Sequence, residues 1–212
     1  MVEKSNNHVS YSLVTALVSV LALMGKSSHA TVVTPISPIF QDPVSGNQYQ
    51  LLSNADWQDS EAEAQSLGGY LATIANQEQQ NFVFDLFGGY DGSQRILWIG
   101  LYDPSQDKNG GSHASNFVWA SGAPVTYTNW NPGEPNDSGG DEFYVAMYYP
   151  NSSNPGSWND WSTITTDPIG IPLYGVVEYV PEPASFATLA VAGALLLSRR
   201  GNGRARLFSG NS

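Results

Sequence analysis

Beyond residue 46 the hydrophobic positions fall into short, regular groups separated by polar, turn-rich stretches. Trp57, Ala64 and Leu67 recur at a spacing that puts them on one face of a helix. Asp56 or Ser53 stands ahead of them as an N-cap, and Gly68-Gly69 follows as a terminator. Asn76 with Gln79 three residues on forms a capping box for a second helix, whose inward face is Phe82, Val83 and Leu86. Arg95 to Leu101 reads as a strand, and Glu142 to Tyr149 and Leu173 to Val180 as closing strands. From Asp103 to Asp141 Gly, Asn, Ser and Pro dominate, and so long an irregular stretch in a compact domain is usually functional. The pattern predicts an α+β domain without internal repeats.

The two ends follow other rules. Lys4, the apolar run Tyr11 to Met24 and the small-residue pattern Ser28-His29-Ala30 predict a secretory signal peptide over 1–30. Residues 31–46, with Pro35, Pro38 and Pro43, read as an extended lead-in. After Val180 come Pro181-Glu182-Pro183, an apolar stretch Ala184 to Leu197, and Arg199, Arg200, Arg204 and Arg206. This segment, 181–206, resembles the PEP-CTERM sorting signal handled by exosortases in Gram-negative bacteria. A short apolar span with a basic end would halt in the inner membrane with the arginines in the cytoplasm. The resemblance implies transient inner-membrane association and a secreted or cell-surface product; a permanent anchor is the rival.

Charge narrows the function classes. The chain has 8 Lys and Arg against 19 Asp and Glu. Only Arg95 and Lys108 lie between the terminal segments, alongside 17 of the acids. Such a body repels nucleic-acid phosphates and anionic lipid. Cysteine is absent, so no disulfide supports the fold, and a domain above about a hundred residues holds by packing alone. Catalysis is poorly served. His8 and His29 fall in the leader and His113 stands alone in a Gly/Ser-rich loop. Cys-His and HExxH arrangements therefore lack their parts, and a Ser-His-Asp arrangement is available only around His113.

One group of residues carries chemistry: Glu134-Pro135-Asn136, then Glu142, then Trp158-Asn159-Asp160. It collects carboxylate and carboxamide oxygens, hard ligands that suit a cation taking six to eight oxygens, calcium. With no His in this loop and no Cys in the chain, zinc and copper are disfavoured. Glu134, Asp141, Glu142 and Asp160 as a glycosidase pair would require one carboxyl held protonated; a cation that keeps all of them ionised is the better use. Calcium on an exposed loop leaves positions for a ligand's own oxygens, and vicinal sugar hydroxyls fit them.

These motifs resemble the C-type lectin-like domain of the mannose-binding kind. The resemblance runs over about 47–180. It takes in Tyr49 to Leu52 as the first strand, Trp57 through Leu71 as the first helix and Trp98-Ile99-Gly100-Leu101 as the central strand. Phe117, Trp119, Gly122, Trp130 and Val177-Glu178-Tyr179 also match. It implies a double-loop fold of two helices on small antiparallel sheets with a long calcium-binding loop. By the same resemblance Glu134, Asn136, Glu142, Asn159 and Asp160 hold calcium and bind the sugar, and Pro135 is cis. The Glu-before-Asn order implies equatorial hydroxyls, as in mannose, glucose, N-acetylglucosamine and fucose, on a glycan or exopolysaccharide. The stacking Trp of galactose binders is not found near the tripeptide. Where the family carries disulfides the chain has Ala64 with Val177, and Tyr144 with Thr163. An auxiliary calcium would draw on Asp103, Asp107 and Asp137, but Phe143 occupies its last position, so one site is expected. A calcium-stabilised adhesin or matrix protein that binds protein, or is purely structural, is the alternative.

Overall fold

The computed structural model describes residues 32–107 and 116–179. The expected signal peptide (1–30), the sorting tail (181–206), Lys108 and His113 lie outside the described residues. The elements are β1 (Phe40–Gln41), β2 (Gln48–Asn54), α1 (Trp57–Ser66), β3 (Gly69–Leu71), α2 (Gln77–Phe87), β4 (Ile96–Tyr102), β5 (Val118–Trp119), β6 (Tyr144–Met147), β7 (Trp158–Trp161) and β8 (Leu173–Tyr179). The strands join in one network of order β1-β2-β8-β4-β6-β7, with β3 on β8 and β5 on β4. All pairs are antiparallel except β4 with β8. The first long strand thus pairs with the last, Tyr49 opposite Glu178, which closes the domain on itself.

β4 organises the two cores. Its apolar run is buried on both faces, as continuous rather than alternating hydrophobicity requires. Leu97, Ile99 and Leu101 pack with Tyr49, Val83, Phe87, Val145, Met147 and Trp158. Ile96 and Trp98 pack on the other face with Trp57, Ala64, Tyr144 and Val177. Gly100 is obligatory, because a Cβ there would lie 2.3 Å from the Leu71 carbonyl oxygen.

The helices begin where the capping residues place them. The Asp56 carboxylate accepts from Asp59 N–H at 2.8 Å, so Asp56 and not Ser53 is the cap. Asn76 accepts from Gln79 N–H at 2.9 Å, while the Gln79 side chain reaches back to Ala75 N–H at 2.9 Å, one residue before the cap itself. The first helix ends just before Gly68, at φ 84°, as the Gly68-Gly69 terminator predicts, and short of the Leu71 that the resemblance implied. It stops at Ser66, and Gly69–Leu71 turns into β3 because its backbone pairs with β8. In α2 the deepest residues are Val83 and Phe87, with Phe82 and Leu86 half-buried. The lead-in also packs: Val33 is buried and the Ser37 hydroxyl accepts from Leu51 N–H at 2.9 Å.

The positions matching the family's disulfides are filled in two ways. Ala64 and Val177 are both buried in the α1-side core, which small and medium apolar side chains fill. Tyr144 and Thr163 are tied by a polar relay. Gln58 donates its amide to the Tyr144 hydroxyl at 2.5 Å, and its Oε1 accepts from Thr163 Oγ1 at 3.2 Å.

Candidate functional site

Trp158 anchors the site. It is fully buried, and its indole N–H donates to Gln80 Oε1 on α2 at 2.8 Å. Trp119 and Trp130 lie edge-on to its ring at 5.9 and 5.8 Å. Its backbone receives the long loop: Trp158 N–H donates to the Asn129 carbonyl at 2.7 Å, and Asn131 N–H to the Trp158 carbonyl at 2.8 Å. The chain is therefore fixed to β7 three residues before Glu134. A turn from Asn131 O to Glu134 N–H, 2.9 Å, then leads into the tripeptide. The Glu134–Pro135 peptide is cis.

Asp160, on β7, ties the tripeptide down. Its two oxygens accept from Asn136 N–H at 3.1 Å and Asp137 N–H at 2.8 Å. Asp137, in the left-handed region at φ 48°, accepts from Glu142 N–H at 3.1 Å, and Glu142 accepts from Ser138 N–H at 2.7 Å. Asn159 gives its amide N–H to the Asp160 carbonyl at 2.8 Å. That leaves two oxygens, Glu134 Oε2 and Asn159 Oδ1, shielded from solvent without a hydrogen-bond partner. Buried polar atoms are nearly always paired, and these two are acceptors. They need a donor or a cation.

The electrostatics point the same way. Burial first, and then the charges of Asp160, Glu134 and Asp137, pushes the Glu142 carboxyl up to about 7. Burial raises Asp160; burial and the Asp160 charge raise Glu134. The same three carboxylates with Asp167, after burial, push the Tyr148 hydroxyl up to about 12. The only Lys, Arg or His among the described residues is Arg95. It is occupied with Asp91 at 2.9 Å and lies 4.8 Å from the Tyr174 ring centre. Among the described residues no three or more His, Cys, Asp or Glu form a metal cage by themselves. The oxygen set is mixed, three carboxylates and two amides, and it fits calcium.

The loop and β7 bring the five expected residues to one place. Asp160 and Asn159 are buried, Glu134 and Glu142 half-buried, and Asn136 is exposed. The auxiliary residues have structural roles. Asp103 Oδ1 accepts from Ser105 N–H at 2.8 Å, Asp137 fixes the turn before Glu142, and Phe143 packs into the core. Two features were missed. Gln80 reads as surface on a polar helix, yet it holds Trp158, and nothing in its local sequence signals that. Aromatic rings do lie beside the site, Tyr148 with Trp161, 6.0 Å apart. Their signal was present in the strand alternation around Asp160.

A lectin C-type domain model matches residues 53–168, more than half of the chain. The low affinity immunoglobulin epsilon Fc receptor of Mus musculus is 33% identical over 140 residues, which are 61% of this chain and 37% of that protein. The chain spans about half the length of the curated relatives it matches. Among solved structures, the C-type lectin CEL-I from Cucumaria echinata aligns at 23% identity and TM-score 0.50, over 64% of this chain and 91% of that one. A calcium-independent type II antifreeze protein aligns at 21% identity and TM-score 0.50, over 69% and 96%. These structural likenesses establish the fold.

Proposed function

The chain belongs to the C-type lectin domain family, and from that premise we propose that it is a calcium-dependent lectin for mannose-type sugars. The observation that carries the reading is the pair of orphaned acceptor oxygens, Glu134 Oε2 and Asn159 Oδ1, within an acidic group that has no counter-charge beside it among the described residues. Glu134, Asn136, Glu142, Asn159 and Asp160 would hold the ion. Once bound, calcium would supply a Lewis-acidic centre for the oxygens of a ligand's hydroxyls. The protein sets selectivity around it: Glu134 and Glu142 accept hydrogen bonds from the hydroxyls, and Asn136 and Asn159 donate to them. That order suits equatorial hydroxyls. No step of covalent chemistry is called for, and the chain is not proposed as an enzyme.

The termini extend the proposal to cell biology. The leader and the Pro-Glu-Pro tail support export and surface sorting by an exosortase-type enzyme in a Gram-negative host, with a glycan or exopolysaccharide as partner. Mass spectrometry of native surface material tests this. A product starting at Thr31 and lacking the Arg199–Arg206 end supports it, and an intact basic tail favours a permanent anchor.

The double change Glu134→Gln, Asn136→Asp tests the sugar reading. It exchanges donor and acceptor while keeping net charge and oxygen count. Mannose-type binding should fall, since each mismatched polar group costs roughly 1–3 kcal/mol. Undiminished mannose binding with calcium still bound would remove sugar recognition from this site. The second reading, protein recognition, is favoured by the named role of the mouse relative as an immunoglobulin receptor. It predicts binding that free sugar does not compete away.

A further inference from the structure

α2 carries a carboxamide that is 3% exposed, on Gln80. Its Oε1 accepts from the Trp158 indole N–H at 2.8 Å. Its Nε2 donates to the Gly156 carbonyl at 2.8 Å and touches Met147 Sδ at 3.5 Å. The same Gly156 carbonyl accepts from the Asn129 side-chain amide at 3.0 Å. One side chain of the helix thus joins the turn between β6 and β7, the strand β7 itself and the long loop. Gly156, at φ 74°, leaves room for this. A Cβ there would come within 3.3 Å of Gln80 Nε2 and 3.1 Å of the Phe84 ring, so the helix seats directly on the backbone of the turn.

The joined segments bear the five oxygen donors. Trp158 directly precedes Asn159-Asp160, and Asn129 stands five residues before Glu134. The loop meets β7 through a parallel bridge of one residue pair, Trp130 with Trp158, closed by the backbone bonds at Asn129 and Asn131. Two bonds specify a register weakly. A slip of one residue moves a strand by about 3.3 Å, far more than the roughly 0.3 Å spread of calcium–oxygen distances. Gln80 removes that freedom. It holds the indole on the β7 side of the bridge and shares the Gly156 carbonyl with Asn129 on the loop side. A neutral carboxamide both accepts and donates, which the two sides require together.

We propose that Gln80 is a positioning residue for the ion site: it fixes the register of the loop carrying Glu134 and Asn136 against the strand carrying Asn159 and Asp160. The proposal rests on the calcium reading of that site.

Calcium titration of the full chain by calorimetry, paired with urea unfolding in EDTA, tests it. Gln80→Met keeps the length of the side chain and removes both hydrogen bonds. Calcium affinity should fall about tenfold, the usual cost of losing a partner behind a metal's own ligands. Trp158→Phe, which keeps a ring and removes the N–H, should weaken calcium binding as well. The two changes together should cost less than their sum, because they break one interaction. Val177→Ala, in the α1-side core, should lower stability in EDTA and leave calcium affinity as in the parent. Coupling is reciprocal, so calcium should slow hydrogen exchange at the Trp158 indole N–H in the parent and not in Gln80→Met. That resonance is identified by its loss in Trp158→Phe. If Gln80→Met does not fold, Trp158→Phe against Val177→Ala carries the same test. Calcium affinity unchanged in Gln80→Met overturns the proposal, and so does an equal loss of affinity in Val177→Ala, which would mark general destabilisation. Both results leave the calcium site standing. If the parent itself binds no calcium, the calcium reading falls and the positioning role falls with it.

Discussion

In β4, Trp98 donates its indole N–H to the Ala55 carbonyl at 3.0 Å while the rest of its ring is buried; Trp57 does the same to the Ile99 carbonyl at 2.8 Å. In the segment from Asn131 to Glu142 and its partner Asn159-Asp160, three carboxylates stand together, each raised above its ordinary pKa, and two oxygens have no partner. The first region satisfies its polar atoms internally and carries the stability of the domain. The second holds its backbone through its own carboxylates and keeps their remaining oxygens for something else. A region that leaves buried acceptors and like charges uncompensated is less stable than it could be, and that cost is characteristic of a binding site.

The comparison breaks most visibly in the core. Trp98→Ala should lower stability by about 3–5 kcal/mol through the transfer and cavity terms, measured by denaturant unfolding. A loss below 1 kcal/mol would mean that β4 is not the keystone. Second in size is the ion itself. Calcium at a hundredfold excess over its dissociation constant should add about 2.7 kcal/mol, and EDTA should remove it. Reductant should change nothing, as there is no cysteine. A melting temperature indifferent to EDTA would show that the loop is already satisfied.

The third effect is on pH. Glu142, raised to about 7 in the metal-free site, must lose its proton before the ion binds. Apparent calcium affinity should therefore fall about tenfold between high pH and pH 6, with proton release on binding. In EDTA the sign reverses. A carboxyl with a raised folded-state pKa favours folding below its unfolded value and loses that contribution as pH rises through about 7. Metal-free protein should thus gain stability from this group on acidification from 7 towards 4.5, and calcium-loaded protein should lose it. Parallel melts in EDTA and calcium read both slopes, and equal slopes would remove Glu142 from the ion's shell. The smallest effect is expected at the relay that stands where a disulfide would. Gln58→Ala should cost about 1 kcal/mol, one net hydrogen bond with partial rescue by Gln106, which also reaches Tyr144 at 2.9 Å. A cost near that of Trp98→Ala would make the relay a second keystone.

Much of this was legible because it is local. The caps at Asp56 and Asn76 act over three residues, and the apolar run of β4 announces burial on both faces. The five residues proposed to hold calcium stand out in the sequence for a different reason: hard oxygen donors gather in a turn-rich segment, and their spacing fits one family. Composition alone made the body between the terminal segments strongly acidic, with 17 acids against Arg95 and Lys108. The tertiary structure decided what depends on distant partners. It turned Gly69–Leu71 into a strand because β8 offered that segment a ladder, and it buried Gln80 because Trp158 needed an acceptor. It set Tyr148 and Trp161 against each other beside the ion site, and it left Glu134 Oε2 and Asn159 Oδ1 unpaired. A sequence lists donors and acceptors, but whether each finds its partner is a property of the packed whole.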